Sequence, residues 1–581
     1  MAGQEFDEGY TYKGARGWRR YRMLRPGWGM YHDIKRRFPF YWSDIRDAWT
    51  YRTVASIIRI YFVNLLPAVA YQLDMYRRTG EFYGINEALF ASALAAVVFS
   101  IFAAQPLTIV GITGLISLFN YTTFDIIQMH APEWYPQFMA WVGIWAAILH
   151  WLTALWNWCD YMRYVTDFSS DSFGLYVGII YMIKGVEELV YQFRDPESSR
   201  SAGFLSCLIA ILYFGSVYFL EKLGAGTVWN AFVRGLFADY AFPIATLFWV
   251  GFAHIPGELK DTDVAWVPIT RTFHPTQPRN WVIDFWNLPV KWVFVALPFA
   301  FLLTLLFYYD HNVSSLTAQA RNFPLKKPGG FHWDFFLLGV TTFISGILGL
   351  PMPNGLVPQA PVHTDSLTNY KTVVEVFSAS ESENPEIRRS AVKAVTVVEQ
   401  RISHFIMALA LIGTMTGPLL RVLHTMPVAV FSGVFFVVGW GSIETNGIVE
   451  KLLFLMKEGR FIQRNHPLLQ VPKTKICLYI GIQIFGVACS VAISQTVAAI
   501  GFPVIITALI PIRTRIMPKL FTQHELEIMD DLTANNEAVL ASLGGEPKLL
   551  AGRKSEDYGL EHKYSEKSRG SMRQRAGSIH R

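Results

Sequence analysis

The 581-residue sequence predicts an all-α polytopic membrane protein of fourteen transmembrane segments, arranged as two inverted repeats of seven, with two segments broken into half-helices. Three observations support this fold class. Hydrophobic residues make up 52% of the chain, and its mean hydropathy is +0.27. Apolar runs of roughly 20 residues, long enough to cross a bilayer, recur along most of the sequence. Three proline landmarks also occur twice, in the same order.

These prolines mark matching places in the two halves of the chain. The pairs are Pro67 with Pro298, Pro106 with Pro351, and Pro243 with Pro503, at separations of 231, 245 and 260 positions. Two halves of similar size, each with seven spans, are therefore predicted. Because seven is odd, the second half enters the membrane from the opposite side. The result is an inverted repeat, which is common among transporters.

The domain boundaries follow from this count. The predicted units are a cytoplasmic basic N-terminus (1–52), a first seven-span repeat (53–255), an extracellular loop (256–288), a second seven-span repeat (289–518) and a cytoplasmic tail (519–581). Eight Lys and Arg residues between 16 and 37 place the N-terminus in the cytoplasm by the positive-inside rule. An even number of spans returns the C-terminus to the same side.

Two shorter segments lie outside the predicted spans. Residues 375–400, inside the second repeat, are predicted as a cytoplasmic amphipathic segment, with a helix at the membrane surface over 378–400. Residues 545–581 are rich in Ser, Lys and Arg with few apolar positions. Such a composition cannot bury a core, so disorder is expected there.

The third segment, 107–130, is the first predicted half-helix. Its sequence QPLTIVGITGLISLFN opens with Pro106 and carries Gly111, Thr113 and Gly114. These residues favour extended backbone followed by a helix that starts inside the membrane. The free N–H groups and positive dipole end of such a helix can face an anion.

The tenth segment, 353–374, is the second predicted half-helix. It begins within Pro351–Pro361, PMPNGLVPQAP, where four prolines and a glycine exclude a straight helix. Non-helical backbone at membrane depth persists only when it is buried in protein or lines a polar cavity. We therefore expect the two segments to satisfy each other's backbone and their helix N-termini to meet at one anion site. Two kinked helices or re-entrant loops without a ligand are the alternative.

Asp310 is the leading ionisable candidate, because charged residues inside membranes usually have a function. It ends the apolar run FLLTLLFYYD in the eighth segment. A carboxylate near two helix N-termini is electrostatically favoured and can bind substrate or exchange a proton with it. The alternative is a carboxylate at the water boundary, solvated or paired with His311.

Other charged residues in the spans favour structural roles. Lys184 has the spacing to form a salt bridge with Glu187 and Glu188 on its own helix. Arg59 and Asp74 bracket the first span and are expected to pair or to extend to the interface.

Several classes of function lack their sequence signatures. The chain has no Walker-type phosphate loop, no HExxH motif and no nucleophile elbow, so neither an enzyme nor an ATP-driven pump is predicted. Its four cysteines have no metal-type spacing. We expect no cofactor, no metal and no nucleic acid partner.

Four motifs resemble the bicarbonate and anion exchanger solute carrier family. In chain order they are QPLTIVGITGLISLF (105–119), GGFHWDFFLLGV (329–340), VEQRIS (398–403) and PIRTRIMPKLF (511–521). The similarity covers about residues 50–525, and within the family it is strongest to the boron (borate) exporters of fungi and plants. The large cytoplasmic N-terminal domain of the animal exchangers has no counterpart before the first span.

The resemblance implies an architecture and a site. Spans one to four and eight to eleven form a core, the others form a gate, and substrate binds between them in a protein that is typically a homodimer. Asp310 falls where the family keeps an acidic residue. The remaining positions carried over are Ile112 and Thr113 at the third segment, and Val357, Pro358 and Gln359 at the tenth; Gly111, next to Ile112 in the interrupted segment, is predicted to belong to the same site. Animal chloride/bicarbonate exchangers have arginine where this chain has Gln359, which favours a poly-hydroxyl substrate.

The function implied is secondary active export of boron, as borate, across the plasma membrane, with the vacuolar membrane as an alternative. Asp310 is then the group that couples export to protons. Exchange of bicarbonate or another small inorganic anion is the alternative substrate class. A scaffold that uses the basic N-terminus to organise partners, and transports nothing, is the alternative from another class.

Overall fold

The computed structural model describes residues 24–194, 199–226, 228–262, 264–268, 270–377, 387–462, 466–496, 498–534, 539, 542 and 543; between 372 and 393 it describes only backbone. The predicted disorder of 545–581 lies outside these residues. So do residues 1–23 of the predicted N-terminal unit.

The first half of the described chain is helical apart from one short strand. Its elements are α1 (Trp28–Arg37), α2 (Tyr41–Arg46), α3 (Tyr51–Arg78), α4 (Ile85–Phe102), β1 (Val110–Gly111), α5 (Gly114–Gln128), α6 (Tyr135–Leu155), α7 (Asp167–Arg194), α8 (Arg200–Ala225), α9 (Ala231–Ala253) and α10 (Glu258–Asp261).

The second half adds three strands. Its elements are α11 (Val290–Ala318), α12 (His332–Leu348), β2 (Asn354–Gly355), α13 (Gln359–Ser366), β3 (Thr368–Phe377), β4 (Ile387–Val397), α14 (Ile402–Thr414), α15 (Gly417–His424), α16 (Val428–Glu444), α17 (Gly447–Met456), α18 (Lys473–Ser494), α19 (Phe502–Pro511), α20 (Met517–Leu520) and α21 (Gln523–Met529).

Long apolar helices dominate this architecture. Within the described residues, eight helices are long and apolar enough to cross a membrane. The number rises to ten if two bent pairs, α14 with α15 (83°) and α16 with α17 (62°), each count as one span. The mainly helical fold is therefore confirmed, whereas the count of fourteen spans in two inverted repeats stays a prediction.

The helices pack in two groups. One group contains α3–α6 and α11–α14, and the other contains α7–α9, α16, α18 and α19. Helix α3 also contacts α9 and α16, so it lies at the boundary between the groups. Its N-terminus is fixed by Thr50, whose hydroxyl accepts a hydrogen bond from the N–H of Thr53 (3.4 Å).

The predicted helix over 378–400 is wrong. Residues 387–397 form strand β4, which pairs antiparallel with β3 from Thr368↔Val397 to Phe377↔Ile387. Both strands are rich in Val and Thr, whose branched side chains favour extended backbone. The tenth segment is likewise shorter than predicted, because α13 ends at Ser366 and β3 begins at Thr368. The all-α prediction therefore needs this correction: the described chain contains two two-stranded sheets.

Candidate functional site

The two interrupted segments pair with each other at the centre of the first helix group. The opposed residues of β1 and β2 are Val110 with Gly355 and Gly111 with Asn354. A further bond runs from the N–H of Leu356 to the carbonyl of Ile109 (3.0 Å), and all of these residues are buried. This antiparallel pairing confirms that the broken segments satisfy each other's backbone. The ladder lies three residues before the start of α5 and four residues before the start of α13, so both half-helices begin close to it.

Helix α5 begins immediately after its strand. Thr113 is the N-cap, and its hydroxyl accepts a hydrogen bond from the N–H of Ile116 (3.3 Å). The N–H of Ile112 donates to the Ser92 hydroxyl on α4 (3.3 Å). Gly111, Ile112 and Thr113 are thus all buried in the turn that starts the half-helix, as the sequence predicts.

Helix α13 begins with fewer protein partners. Pro358 is its N-cap and makes no side-chain capping bond. Gln359, the first helical residue, is 2% exposed, and neither atom of its amide makes a hydrogen bond of standard geometry. The hydroxyl of Tyr181 on α7 lies beside this amide, so the amide is incompletely hydrogen-bonded by the protein and can bind a ligand or water.

Asp310 lies directly behind the paired strands. It is 2% exposed, and its Oδ2 accepts a hydrogen bond from the side-chain amide of Asn354 (2.8 Å). Asn354 Oδ1 in turn accepts from the N–H of Gly355 (2.8 Å). The alternative, a solvated carboxylate or one paired with His311, is wrong, because Asp310 is buried and bonds to strand β2. Asn354 was not predicted as the partner of Asp310, because the two residues lie on different segments.

A cavity of about 1090 Å³ reaches the start of α13. Val357, Pro358 and Gln359 line its inner end, between α3 of the first helix group and α7 of the second. Gly111, Ile112, Thr113 and Asp310 do not line the cavity and lie behind this wall. The structure therefore brings all seven predicted site residues together but exposes only three of them to the cavity.

The mouth of the cavity is lined by charged side chains. It opens on the side of the molecule where α3 begins, which we call the N-terminal face. Asp239 on α9 lies 3.5 Å from Arg52 and 4.0 Å from Arg59, and Arg59 also pairs with Asp365 on α13 (3.2 Å). The expected pairing of Arg59 is confirmed, while its two distant partners could not be read from spacing along one helix.

Ion pairs also join α3 and α7 on the opposite face. Lys184 contacts Asp74 (3.2 Å) as well as its helix neighbour Glu187 (2.7 Å), so that predicted local salt bridge is confirmed. The predicted partnership with Glu188 is wrong, because Glu188 pairs with Arg77. These contacts link the two helix groups at the end of α3 farthest from the cavity mouth.

Two of the sequence motifs brace the broken segment. Asp334, from GGFHWDFFLLGV, accepts hydrogen bonds from the N–H groups of Ala104 (2.6 Å) and Gln105 (2.9 Å). Arg401, from VEQRIS, donates to the carbonyls of Ser100 and Ile101 at the end of α4 (3.0 Å each). The backbone that leaves α4 is thus held by one buried carboxylate and one buried guanidinium.

The same VEQRIS motif reaches the second half-helix. His363 on α13 contacts the Leu107 carbonyl through Nδ1 and the Ser403 hydroxyl through Nε2, both at 2.8 Å. Glu399 accepts bonds from the N–H groups of Lys326 (2.6 Å) and Lys327 (3.0 Å), while burial raises the pKa of Glu399. The motif residues therefore position the two broken segments rather than line the cavity.

The described residues contain no group of three or more His, Cys, Asp or Glu side chains arranged to hold a metal ion. The site thus consists of two backbone turns, one buried carboxylate and one incompletely hydrogen-bonded amide at the end of a charged cavity. This arrangement suits binding of a small polar solute.

Comparison with known proteins identifies the family. The HCO3- transporter integral membrane domain matches residues 25–202 and 194–534. The chain belongs to this family. A Schizosaccharomyces pombe protein is 43% identical over 86% of the chain and 95% of its own length. Boron transporter 1 of Saccharomyces cerevisiae is 40% identical over 88% of the chain and 86% of its own length.

More distant members of the family match as well, and one solved structure shares the fold. Anion exchange protein 2 of Equus caballus is 25% identical over 88% of the chain, which spans only 44% of that relative. The transmembrane domain of the cyanobacterial bicarbonate transporter BicA aligns over 77% of the chain and 97% of that structure, with a TM-score of 0.51 and 14% identity. At that identity the likeness concerns the fold alone. The family resemblance seen in the four motifs is thus confirmed, and the protein is an integral membrane protein.

Proposed function

We propose that this protein is a secondary active transporter that exports boron, as borate, by alternating access. The observation that carries the proposal is the cavity that runs from the N-terminal face to the start of α13 and ends at the incompletely hydrogen-bonded amide of Gln359. Similarity to Boron transporter 1 supports the choice of substrate.

The chemistry of Gln359 fits borate. Tetrahydroxyborate carries one negative charge and four hydroxyl groups, each able to donate and to accept hydrogen bonds. An amide offers both a donor and an acceptor, whereas an arginine only donates. The half-helix N-termini supply partial positive charge for the anion without a fixed cation. A small inorganic anion such as bicarbonate, with a single hydroxyl, makes less use of the amide acceptor.

The orientation follows from the positive-inside rule. The basic N-terminus assigns the N-terminal face to the cytoplasm, so the cavity is open to the cytoplasm. The ion pairs of Lys184 and Arg77 then keep the extracellular end shut. We further propose fourteen spans in two inverted repeats, a homodimer, and residence in the plasma membrane.

Asp310 is proposed as the coupling group. Neutral boric acid leaks through bilayers, so export against a gradient requires an energy source, and protons are one that a carboxylate can use. The buried position of Asp310, one hydrogen bond away from β2, supports this role because its ionisation changes the charge beside both half-helix ends.

Boron flux through purified protein in liposomes tests the proposal. We expect boron transport that Gln359→Leu reduces at least ten-fold, because each anion would lose hydrogen bonds to the amide, worth roughly 1.5–3 kcal/mol with a charged partner. Gln523→Leu, at an exposed position on α21, is the matched control. Growth on high boron of a deletion strain re-expressing the protein gives a second readout. Bicarbonate flux without boron flux supports the alternative substrate, and no flux supports the scaffold.

A further inference from the structure

We propose that the hydroxyl groups of Tyr71 on α3 and Tyr181 on α7 complete the substrate site and determine its specificity for a poly-hydroxyl anion. This inference rests on the proposed function and adds two residues from outside the broken segments. Neither tyrosine is among the site residues predicted from the sequence.

Tyr71 lies against the start of the first half-helix. Its side chain is 1% exposed, and its hydroxyl makes no hydrogen bond of standard geometry. A Cβ atom placed on Gly114, the first residue of α5, would lie 2.5 Å from that hydroxyl oxygen. Only glycine fits at this position, because any side chain there would displace the phenol of Tyr71. The Tyr181 hydroxyl lies beside that of Tyr71, and the Tyr71 hydroxyl still has hydrogen-bonding capacity that a ligand at the helix N-terminus can use.

Tyr181 connects Tyr71 to the second half-helix. It is 3% exposed, its ring packs edge-on against Tyr71 with centroids 5.2 Å apart, and its hydroxyl lies beside both the Tyr71 hydroxyl and the Gln359 amide. Val177, which lines the cavity, is one helical turn before Tyr181 on α7. The two phenols thus stand just beyond the inner end of the cavity, next to the Gln359 amide.

A further acceptor faces the same turn. The side-chain oxygen of Asn64 is buried without a hydrogen bond, and a Cβ atom on Gly111 would lie 3.1 Å from it. Four polar groups therefore lie near the two half-helix starts, and all of them are neutral. They are the hydroxyls of Tyr71 and Tyr181, the amide of Gln359 and the side chain of Asn64. Such a set can donate to the oxygens of borate and accept from its hydrogens.

The position of the tyrosines also explains how the far side is sealed. Phe435 on α16 packs against Tyr71 and Tyr181, with ring centroids 4.9 Å and 6.0 Å away. Beyond these three rings come the ion pairs of the opposite face. Substrate bound to the phenols therefore sits against the aromatic layer that must open for its release.

The test measures boron flux as a function of cytoplasmic borate for Tyr71→Phe, Tyr181→Phe and the double variant in proteoliposomes. Phenylalanine keeps the ring, so we expect kcat to stay within two-fold of wild type. KM should rise about ten-fold for each single variant, as expected for one lost hydrogen bond to an anion. Tyr213→Phe is the matched control, because that buried hydroxyl bonds to Thr246 (3.0 Å) between α8 and α9, away from the cavity.

Thermal unfolding of the same variants separates binding from folding. Because the Tyr71 hydroxyl makes no hydrogen bond of standard geometry and has only the Tyr181 hydroxyl beside it, its loss should leave Tm of the substrate-free protein essentially unchanged. Borate should then stabilise wild type more than Tyr71→Phe. A lowered Tm in the absence of borate would mean that the hydroxyl serves the fold, and would overturn the inference.

Two results concern this inference alone. If wild type transports boron and both single variants and the double variant keep the wild-type KM, the tyrosines are not part of the site. A fall in kcat at unchanged KM overturns it equally, because that pattern indicates a defect in movement. If wild type transports no boron, the proposed function fails first, and borate-dependent stabilisation of purified wild type and Tyr71→Phe then decides whether the phenols bind the anion.

Discussion

Replacement of Asp310 by asparagine separates the shape of the site from its charge. The two side chains have nearly the same size, and the asparagine oxygen can accept the same hydrogen bond from Asn354 that Asp310 accepts at 2.8 Å. Relative to the ionised form of Asp310, a neutral acceptor contributes about 1–2 kcal/mol less to that bond, and relative to the protonated form it contributes about the same. Removal of a buried charge has the opposite effect on stability. We therefore expect Tm to change by only a few degrees.

The effect on transport is expected to be much larger. One unit of pH across the membrane corresponds to about 1.4 kcal/mol per proton, which can hold a ten-fold solute gradient if one proton is coupled to one anion. Asp310→Asn cannot exchange that proton. The variant should thus equilibrate boron across a proteoliposome membrane but hold no gradient, and its flux should no longer vary with pH.

The assay imposes a pH gradient of one unit on proteoliposomes and follows internal boron with time. Asp125→Asn is the control, because Asp125 is an exposed carboxylate that pairs with Arg78. It should behave as wild type. If Asp310→Asn still accumulates boron under the imposed gradient, with its pH dependence intact, the assignment of Asp310 as the coupling group is incorrect.

Two further predictions concern the supports of the site. Arg401→Lys keeps the charge but loses the planar guanidinium that binds two carbonyls at the end of α4. Thermal unfolding should therefore show a free energy of unfolding lower by about 3 kcal/mol. The control Arg421→Lys, at an exposed position, should leave it unchanged. Lys184→Gln removes the cation that links Asp74 on α3 to α7. A thiol reagent that enters from the opposite face should then label a cysteine introduced beside Asn64 faster than in the parent protein. Lys222→Gln, at an exposed pair, should leave labelling unchanged; equal rates in all three proteins would contradict the role given to Lys184.

The broken segments could be predicted because their cause is local. Proline and glycine prevent a straight helix wherever they cluster, so Pro106 and Pro351 mark the interruptions without knowledge of the neighbours. Thr113 is a standard N-cap residue, and the helix begins one residue after it. The meeting of the two segments followed from the need to satisfy backbone at membrane depth. Local chemistry and that one constraint were enough to place the two interruptions side by side, whereas Ile112, Val357, Pro358 and Gln359 were assigned to the site from the family resemblance.

The β3–β4 pair could not be predicted in the same way. Residues 387–397 contain charges at spacings that a surface helix also shows, and the chain decides between the two forms through pairing with 368–377. Strand pairing depends on a partner distant in sequence, which no local pattern reports. The helix predicted there shows how weak amphipathic periodicity is as a signal over a short polar stretch.

The polar residues on α3 and α7 were missed for a different reason. Tyr71 and Tyr181 stand in apolar helices, where sequence does not distinguish them from Tyr213, a tyrosine that bonds within its own helix group. Tyr71 and Tyr181 differ from Tyr213 because they face the starts of the half-helices. Glu188 was assigned to Lys184 because helical spacing allows it, whereas the guanidinium of Arg77 comes from another helix. Contacts across the boundary between the helix groups lie beyond any reading of single helices.

The ion pairs at the two ends of α3 suggest a separate role for each end in the proposed alternating access. Near its start, Arg52 and Arg59 face Asp239 of the second helix group at 3.5 and 4.0 Å, which are loose contacts around an open mouth. Near its end, Asp74 lies 3.2 Å from Lys184, in a tight and largely buried contact. Movement of one group against the other can shorten the first set only by lengthening the second. Because such buried pairs are costly to leave broken, we expect each end to stabilise one state of the proposed alternating-access cycle, in which the substrate meets one open face at a time.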